Sequence, residues 1–113
     1  MRSRVVVAAF VLSALSWAVP AFARGSVERG MKVYAAQKCA MCHSLAGKGN
    51  VKGPLDEALS KLSNDEIRQW LVNPVEMREK AHAERKPVMK SFSTLSKDDL
   101  DALVAYLSSL KKK

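Results

Sequence analysis

The sequence predicts an all-α fold of about four helices packed around one central group. Three observations lead there. Two stretches carry full helix-start signals followed by apolar residues at helical spacing. The segments between them are short, polar and punctuated by glycine and proline. The only two cysteines stand in the run Cys39-Ala40-Met41-Cys42-His43. That C-x-x-C-H spacing is the one used for covalent attachment of a c-type haem. Thiols separated by two residues in a helical turn each reach a vinyl group on one porphyrin edge. The next residue then brings its imidazole under the iron as the proximal ligand. The competing readings are a disulfide, a redox-active C-x-x-C beside an incidental histidine, and a zinc site. The zinc site lacks a fourth ligand, and Cys42 and His43 are awkward neighbours in it.

Residues Met1 to Ala23 read as a cleaved signal peptide rather than as part of the fold. Arg2 and Arg4 precede an almost wholly apolar run from Val5 to Val19, and Ala21-Phe22-Ala23 resembles a small-residue cleavage site. Ser13, Ser16 and Pro20 leave that run short of the roughly 20 residues of a membrane span, so an uncleaved anchor is the weaker reading. No second such run follows, so no integral membrane segment is expected in the mature chain, residues 24–113. The expected location is the periplasm or another extracytoplasmic space. About 90 residues form one small domain, marginal for building a core unaided, and a bound apolar group would supply the missing centre. The net charge of +8 points to a partner with an acidic surface. Nucleic acid is not expected, because no recognition helix or aromatic-interleaved basic stripe accompanies the charge. A monomer is expected.

Taken in order, Ser26 is placed to cap a first helix from Val27 to Gln37 that leads into the cysteine motif. Gly30 inside it costs up to about 1 kcal/mol, which a close helix crossing would justify. Ser44 to Gly53, rich in Gly, Lys and Asn, reads as a loop ending in Gly53-Pro54-Leu55. A short helical turn fits Asp56–Lys61. Leu62-Ser63 with Glu66 is a staple and capping box for a helix from Ser63 to Val72, ended by Asn73-Pro74. Leu95-Ser96 with Asp99 repeats the pattern for Lys97 to Leu110, with Leu100, Leu103, Val104, Leu107 and Leu110 along one face. Between them, Val75 to Ala83 is a plausible short helix, and the chain after Pro87 reads as an irregular loop. Leu55, Leu59, Ile67, Leu71, Phe92 and Leu95 are core candidates.

With these elements in place the chain resembles a class I cytochrome c over nearly all of its mature length. The matching features are Gly30 and Tyr34, Cys39 through His43, Gly53-Pro54, Trp70, Met89, and Leu103 with Tyr106 and Leu107. The resemblance implies a small cytochrome c fold wrapped around one haem c, attached through Cys39 and Cys42. It implies crossing terminal helices at Gly30, and iron ligation by His43 and Met89. It also implies that the Pro54 carbonyl accepts the second N–H of His43 and that the Trp70 indole donates to a haem propionate. The departure from the pattern is Lys90 after Met89, where the family commonly has proline; here Pro87 comes two positions before.

Met31, Met41, Met77 and His82 compete with Met89 for the sixth position. Met41 lies inside the attachment turn, Met31 lies on the first helix, and His82 sits in a charged stretch that reads as solvated. The function expected is one-electron transfer between partner proteins, without catalysis. Lys38, Lys48, Lys52, Lys86 and Lys90 would flank the haem and steer an acidic partner. The alternatives are a haem protein with an open or displaceable sixth site, acting as a small-ligand sensor or weak peroxidase, and an electron-transfer subunit of an oxidoreductase complex.

Overall fold

The computed structural model describes residues 21–111, with side chains described from residue 25 onward. The chain runs as helix α1 (Ala21–Ala36), a 3-10 turn (Cys39–Met41), strands β1 (Ser44–Leu45) and β2 (Lys48–Gly49), and helices α2 (Asp56–Lys61), α3 (Asn64–Val72), α4 (Pro74–Lys80) and α5 (Lys97–Ser109). It is the all-α arrangement expected. The signal-peptide expectation falls almost entirely on residues 1–20, outside the described range.

Local chemistry explains most boundaries. Ser63 caps α3 by accepting from Glu66 N–H while Glu66 Oε1 accepts from Ser63 N–H, each at 3.1 Å. Ser96 caps α5 by accepting from Asp99 N–H at 3.1 Å. Pro74 opens α4 at a position where its missing N–H costs nothing. The first helix departs from expectation: Ser26 is not its cap, because the helix already runs from Ala21. Ala21 and Ala23 are strong helix formers, and the single Gly25 costs too little to stop a helix that is already propagating.

A second departure is a small hairpin inside the expected loop. β1 and β2 pair antiparallel, Ser44 with Gly49 and Leu45 with Lys48. The two linking residues, Ala46 and Gly47, have φ of 50° and 80°, which is the tight turn that matches strand twist. The Ala46 N–H donates to Asp56 Oδ1 at 2.9 Å, tying the turn to the start of α2.

The chain closes where α1 crosses α5. A Cβ on Gly30 would run into the Ala102 carbonyl and the Tyr106 side chain, so the two backbones touch. One turn on, the Tyr34 and Tyr106 rings meet edge to face, centroids 5.7 Å apart and planes 68° apart. Beneath the crossing lies the core: Val33, Leu59, Ile67, Leu71, Phe92, Leu103, Val104 and Leu107, with Leu103 wholly buried. Leu55 and Leu95 pack against it half-buried. The Phe92 N–H donates to the Leu71 carbonyl at 2.7 Å, pinning the segment before α5 to the end of α3.

Candidate cofactor-binding site

The cysteine motif is positioned by a sharp exit from α1. Gln37 N–H donates to Val33 O and Lys38 N–H to Ala35 O, after which Lys38 turns left-handed at φ 58°, ψ 38°. The chain then drops into the 3-10 turn, and the Cys42 and His43 N–H groups both donate to Cys39 O, at 3.1 and 2.9 Å. The hairpin braces this turn from behind. Asn50 N–H donates to both His43 O and Ala40 O at 3.0 Å, and its side-chain amide donates to Met41 O at 3.0 Å. Gly49, at φ 105°, has no room for a side chain because the His43 carbonyl occupies that place.

Both cysteines are free thiols, Cys39 half-buried and Cys42 exposed. Burial pushes the Cys39 thiol above its ordinary pKa. His43 is pushed the other way, chiefly by burial, with the Gly53 carbonyl opposing and the Arg85 charge assisting. The ring nitrogen Nδ1 lies 3.1 Å from Gly53 O. A carbonyl only accepts, so Nδ1 carries the proton and Nε2 keeps a free lone pair. The acceptor is therefore Gly53, not Pro54 as expected. Ser44 N–H donates to Gly53 O and Leu55 N–H donates to Ser44 O, a parallel bridge centred on Pro54. In extended backbone successive carbonyls alternate, so with Gly53 O facing Ser44 and His43, Pro54 O points away.

Cys39, Cys42, His43, Pro54, Trp70 and Met89 all line one cavity of about 890 Å³. They come from the motif turn, the segment before α2, helix α3 and the loop before α5. Met89 is half-buried against the core. Its loop is tied by Ala83 N–H to Arg78 O on one side and by Ser91 Oγ to Val72 O, at 2.8 Å, on the other. The rival residues fall elsewhere: His82, Met77 and Met31 do not line the cavity, and His82 and Met31 are exposed. Met41 lines it but is 70 % exposed. Of the flanking lysines expected, Lys38, Lys52 and Lys90 line the cavity, whereas Lys48 and Lys86 do not.

Sequence reasoning missed the charge pattern of the wall. Lys61, Arg78 and Arg85 join those three lysines, and no aspartate or glutamate lines the cavity. The Arg78 Nε is buried without a hydrogen-bond partner. The Tyr34 hydroxyl is likewise unpartnered, and burial above all raises its pKa to about 12. In the sequence Arg78 and Arg85 belong to a charged stretch that looks like solvated surface; tertiary structure turns Arg78 inward, while Arg85 lines the cavity but stays exposed. Among the described residues no group of three or more His, Cys, Asp and Glu is placed to hold a metal ion by itself.

A cytochrome c family model matches residues 27–111. The chain belongs to the cytochrome c family. Among curated proteins, cytochrome c oxidase subunit 2 of Alkalihalophilus pseudofirmus is 28 % identical over 92 residues, 74 % of this chain and 25 % of that protein. The chain thus spans about a quarter of the length of that relative. No solved structure matches.

Membership in the cytochrome c family implies haem c, electron transfer and redox partners. The residues present fit that group. The cavity wall is mostly apolar side chains, its only charged groups are cationic, and two thiols and an imidazole with a free Nε2 stand together on one side. An apolar ring bearing acidic groups is the complement of such a wall. No helix among the described residues is long and apolar enough to cross a membrane.

Proposed function

We propose that this cytochrome c is an exported one-electron carrier of the periplasm or a comparable extracytoplasmic space. In this reading Cys39 and Cys42 hold the haem as thioethers, and His43 and Met89 are the axial ligands. The observation that carries it is the convergence of Cys39, Cys42, His43 and Met89 on one cavity from distant parts of the chain, while His82 and Met77 stay outside. The bound haem supplies an iron that cycles between Fe(III) and Fe(II). The chain's own residues do the rest. The Gly53 carbonyl fixes the His43 tautomer and makes its Nε2 a better donor. Met89 offers a soft thioether, which favours the reduced metal and a high potential. Leu59, Ile67, Leu71, Phe92 and Leu103 exclude water.

Pro54 acts in this reading by holding the Gly53 carbonyl toward His43. Trp70 lines the cavity, which supports a role for it against the haem in this reading. Lys38, Lys52 and Lys90 ring the cavity and favour a partner with an acidic docking surface, bound weakly and with strong salt dependence. A second reading, an electron-transfer subunit of an oxidoreductase complex, is supported by the match to part of an oxidase subunit. Isolation from the native host as a free monomer favours the carrier; isolation with larger subunits favours the complex.

The decisive experiment records ferric and ferrous absorption spectra of matured protein, then of Met89→Ala and His82→Ala. M89A is expected to lose the low-spin six-coordinate signature and H82A to keep it. The reverse pattern would move the sixth ligand to His82. A low-spin signature surviving both would remove Met89 from the iron.

A further inference from the structure

We propose that Lys90 locks the Met89 loop by laying its ammonium over the Phe92 ring, and so keeps the sixth iron position closed to outside ligands. This rests on the Met89 ligation proposed above. The Lys90 Nζ lies 5.1 Å from the ring centroid, within the roughly 6 Å at which a cation is drawn to an aromatic face. Lys90 is exposed and forms no ion pair with a described residue, so no carboxylate competes with the ring for its charge. The ring is a fixed point. Phe92 is 6 % exposed, its N–H donates to Leu71 O at 2.7 Å, and its carbonyl accepts from Leu95 N–H at 3.1 Å.

The backbone around the ligand shows why such a lock is needed. From Glu84 to Ser91 no backbone N–H or carbonyl pairs with another backbone group among the described residues. A proline directly after Met89 would hold Met89 in extended dihedrals; lysine follows it instead, and Pro87 restricts Lys86. Met89 packs half-buried against the core, and two residues on Ser91 Oγ donates to Val72 O at 2.8 Å. Lys90 stands between these two anchors, and Met89, Lys90 and Phe92 all line the cofactor cavity. Joining residue 90 to the ring of residue 92 stiffens the backbone beside the ligand across a very short loop, which costs little entropy to close.

The lock bears on function through the oxidised state. A thioether is a soft ligand that favours ferrous over ferric iron. In the ferric protein an outside ligand takes the sixth position whenever the loop swings out, so its apparent affinity follows the fraction of open loop. A cation over a ring at an exposed site holds that fraction down by about twofold to fivefold. Lys90 thereby favours a carrier over a protein with a displaceable sixth ligand.

The test titrates matured ferric holoprotein with imidazole at pH 8, following loss of the far-red sulfur-to-iron absorption. Wild type is compared with Lys90→Gln, Lys90→Arg, Phe92→Leu and the Lys90→Gln, Phe92→Leu double variant. Imidazole is mostly neutral at that pH, so a charge removed at residue 90 does not act on it directly. K90Q is expected to give way at about twofold to fivefold less imidazole than wild type. K90R, which keeps a cation over the ring, should match wild type. In the F92L background the K90Q change should have no further effect, because the ring is gone. A wild-type midpoint in K90Q overturns the proposal. So does an equal K90Q shift with and without the ring, or a K90R midpoint as low as that of K90Q. Should F92L fail to mature, K90Q and K90R decide the matter alone. The wild-type spectrum separates this inference from the reading beneath it. Sulfur-to-iron absorption present with equal midpoints sinks the role of Lys90 only; that absorption missing from wild type sinks both.

Discussion

Gly53 carries three duties that no other residue type would combine. Its carbonyl accepts from Ser44 N–H and from His43 Nδ1, both at 3.1 Å, and its missing side chain leaves room for the Arg85 guanidinium and the Cys42 carbonyl. Arg85 is the end of a flexible side chain and can swing aside; the Cys42 carbonyl is backbone and cannot. Gly53→Ala is therefore expected to destabilise the holoprotein by about 1–3 kcal/mol, measured as a lower guanidinium midpoint. The cost should remain in a Gly53→Ala, Arg85→Ala double variant, because the backbone clash persists. Lys38 is the second unusual residue. It holds a left-handed conformation at φ 58° that ordinarily favours glycine or asparagine, and nothing in its residue type announces the turn that aims Cys39 at the cavity.

Among the elements, what was legible in the sequence was what is local. The capping box of Ser63 and Glu66 and the Ser96 cap lie within four consecutive residues each, so α3 and α5 start where the sequence places them. α2 also falls on its expected span, Asp56–Lys61. The hairpin at Ala46-Gly47 was missed because alanine at positive φ leaves no compositional mark. The start of α1 was missed because Ser26 resembles a cap only if the preceding residues are not already helical. That the C-x-x-C-H run and Met89 would lie together was readable, and they line one cavity, while the choice of Gly53 over Pro54 as acceptor and the inward turn of Arg78 depend on how distant segments pack. The α1–α5 crossing was readable from Gly30 through family resemblance, and the structure explains why. Gly30→Ala gains up to about 1 kcal/mol of helix propensity but drives a methyl into the Ala102 carbonyl and Tyr106. The net expectation is a loss of about 2 kcal/mol, read from denaturant unfolding monitored by far-ultraviolet circular dichroism.

For the whole molecule the cavity decides stability. The cavity of about 890 Å³ is open to solvent and its wall is mostly apolar. Left wet, that wall keeps in water apolar surface that a bound apolar ring would cover, at about 25 cal/mol per Å². A typical domain is held together by only roughly 5–15 kcal/mol, so losing that burial is expected to weaken the fold. A Cys39→Ser, Cys42→Ser variant prepared free of haem is expected to lose the sharp thermal transition and to be digested by protease far faster than the matured protein. A sharp transition in the haem-free variant would contradict this.

The crossing of α1 and α5 also orders events in time. Its two sides, Gly30 against Ala102 and Tyr34 against Tyr106, lie about seventy positions apart, so closure must await the last stretch of chain to emerge. Until α5 arrives, the turn bearing Cys39 and Cys42 stands at the end of a helix with nothing across it. A growing or refolding chain thus leaves Cys39 and Cys42 uncovered first and clasps its two terminal helices together afterwards.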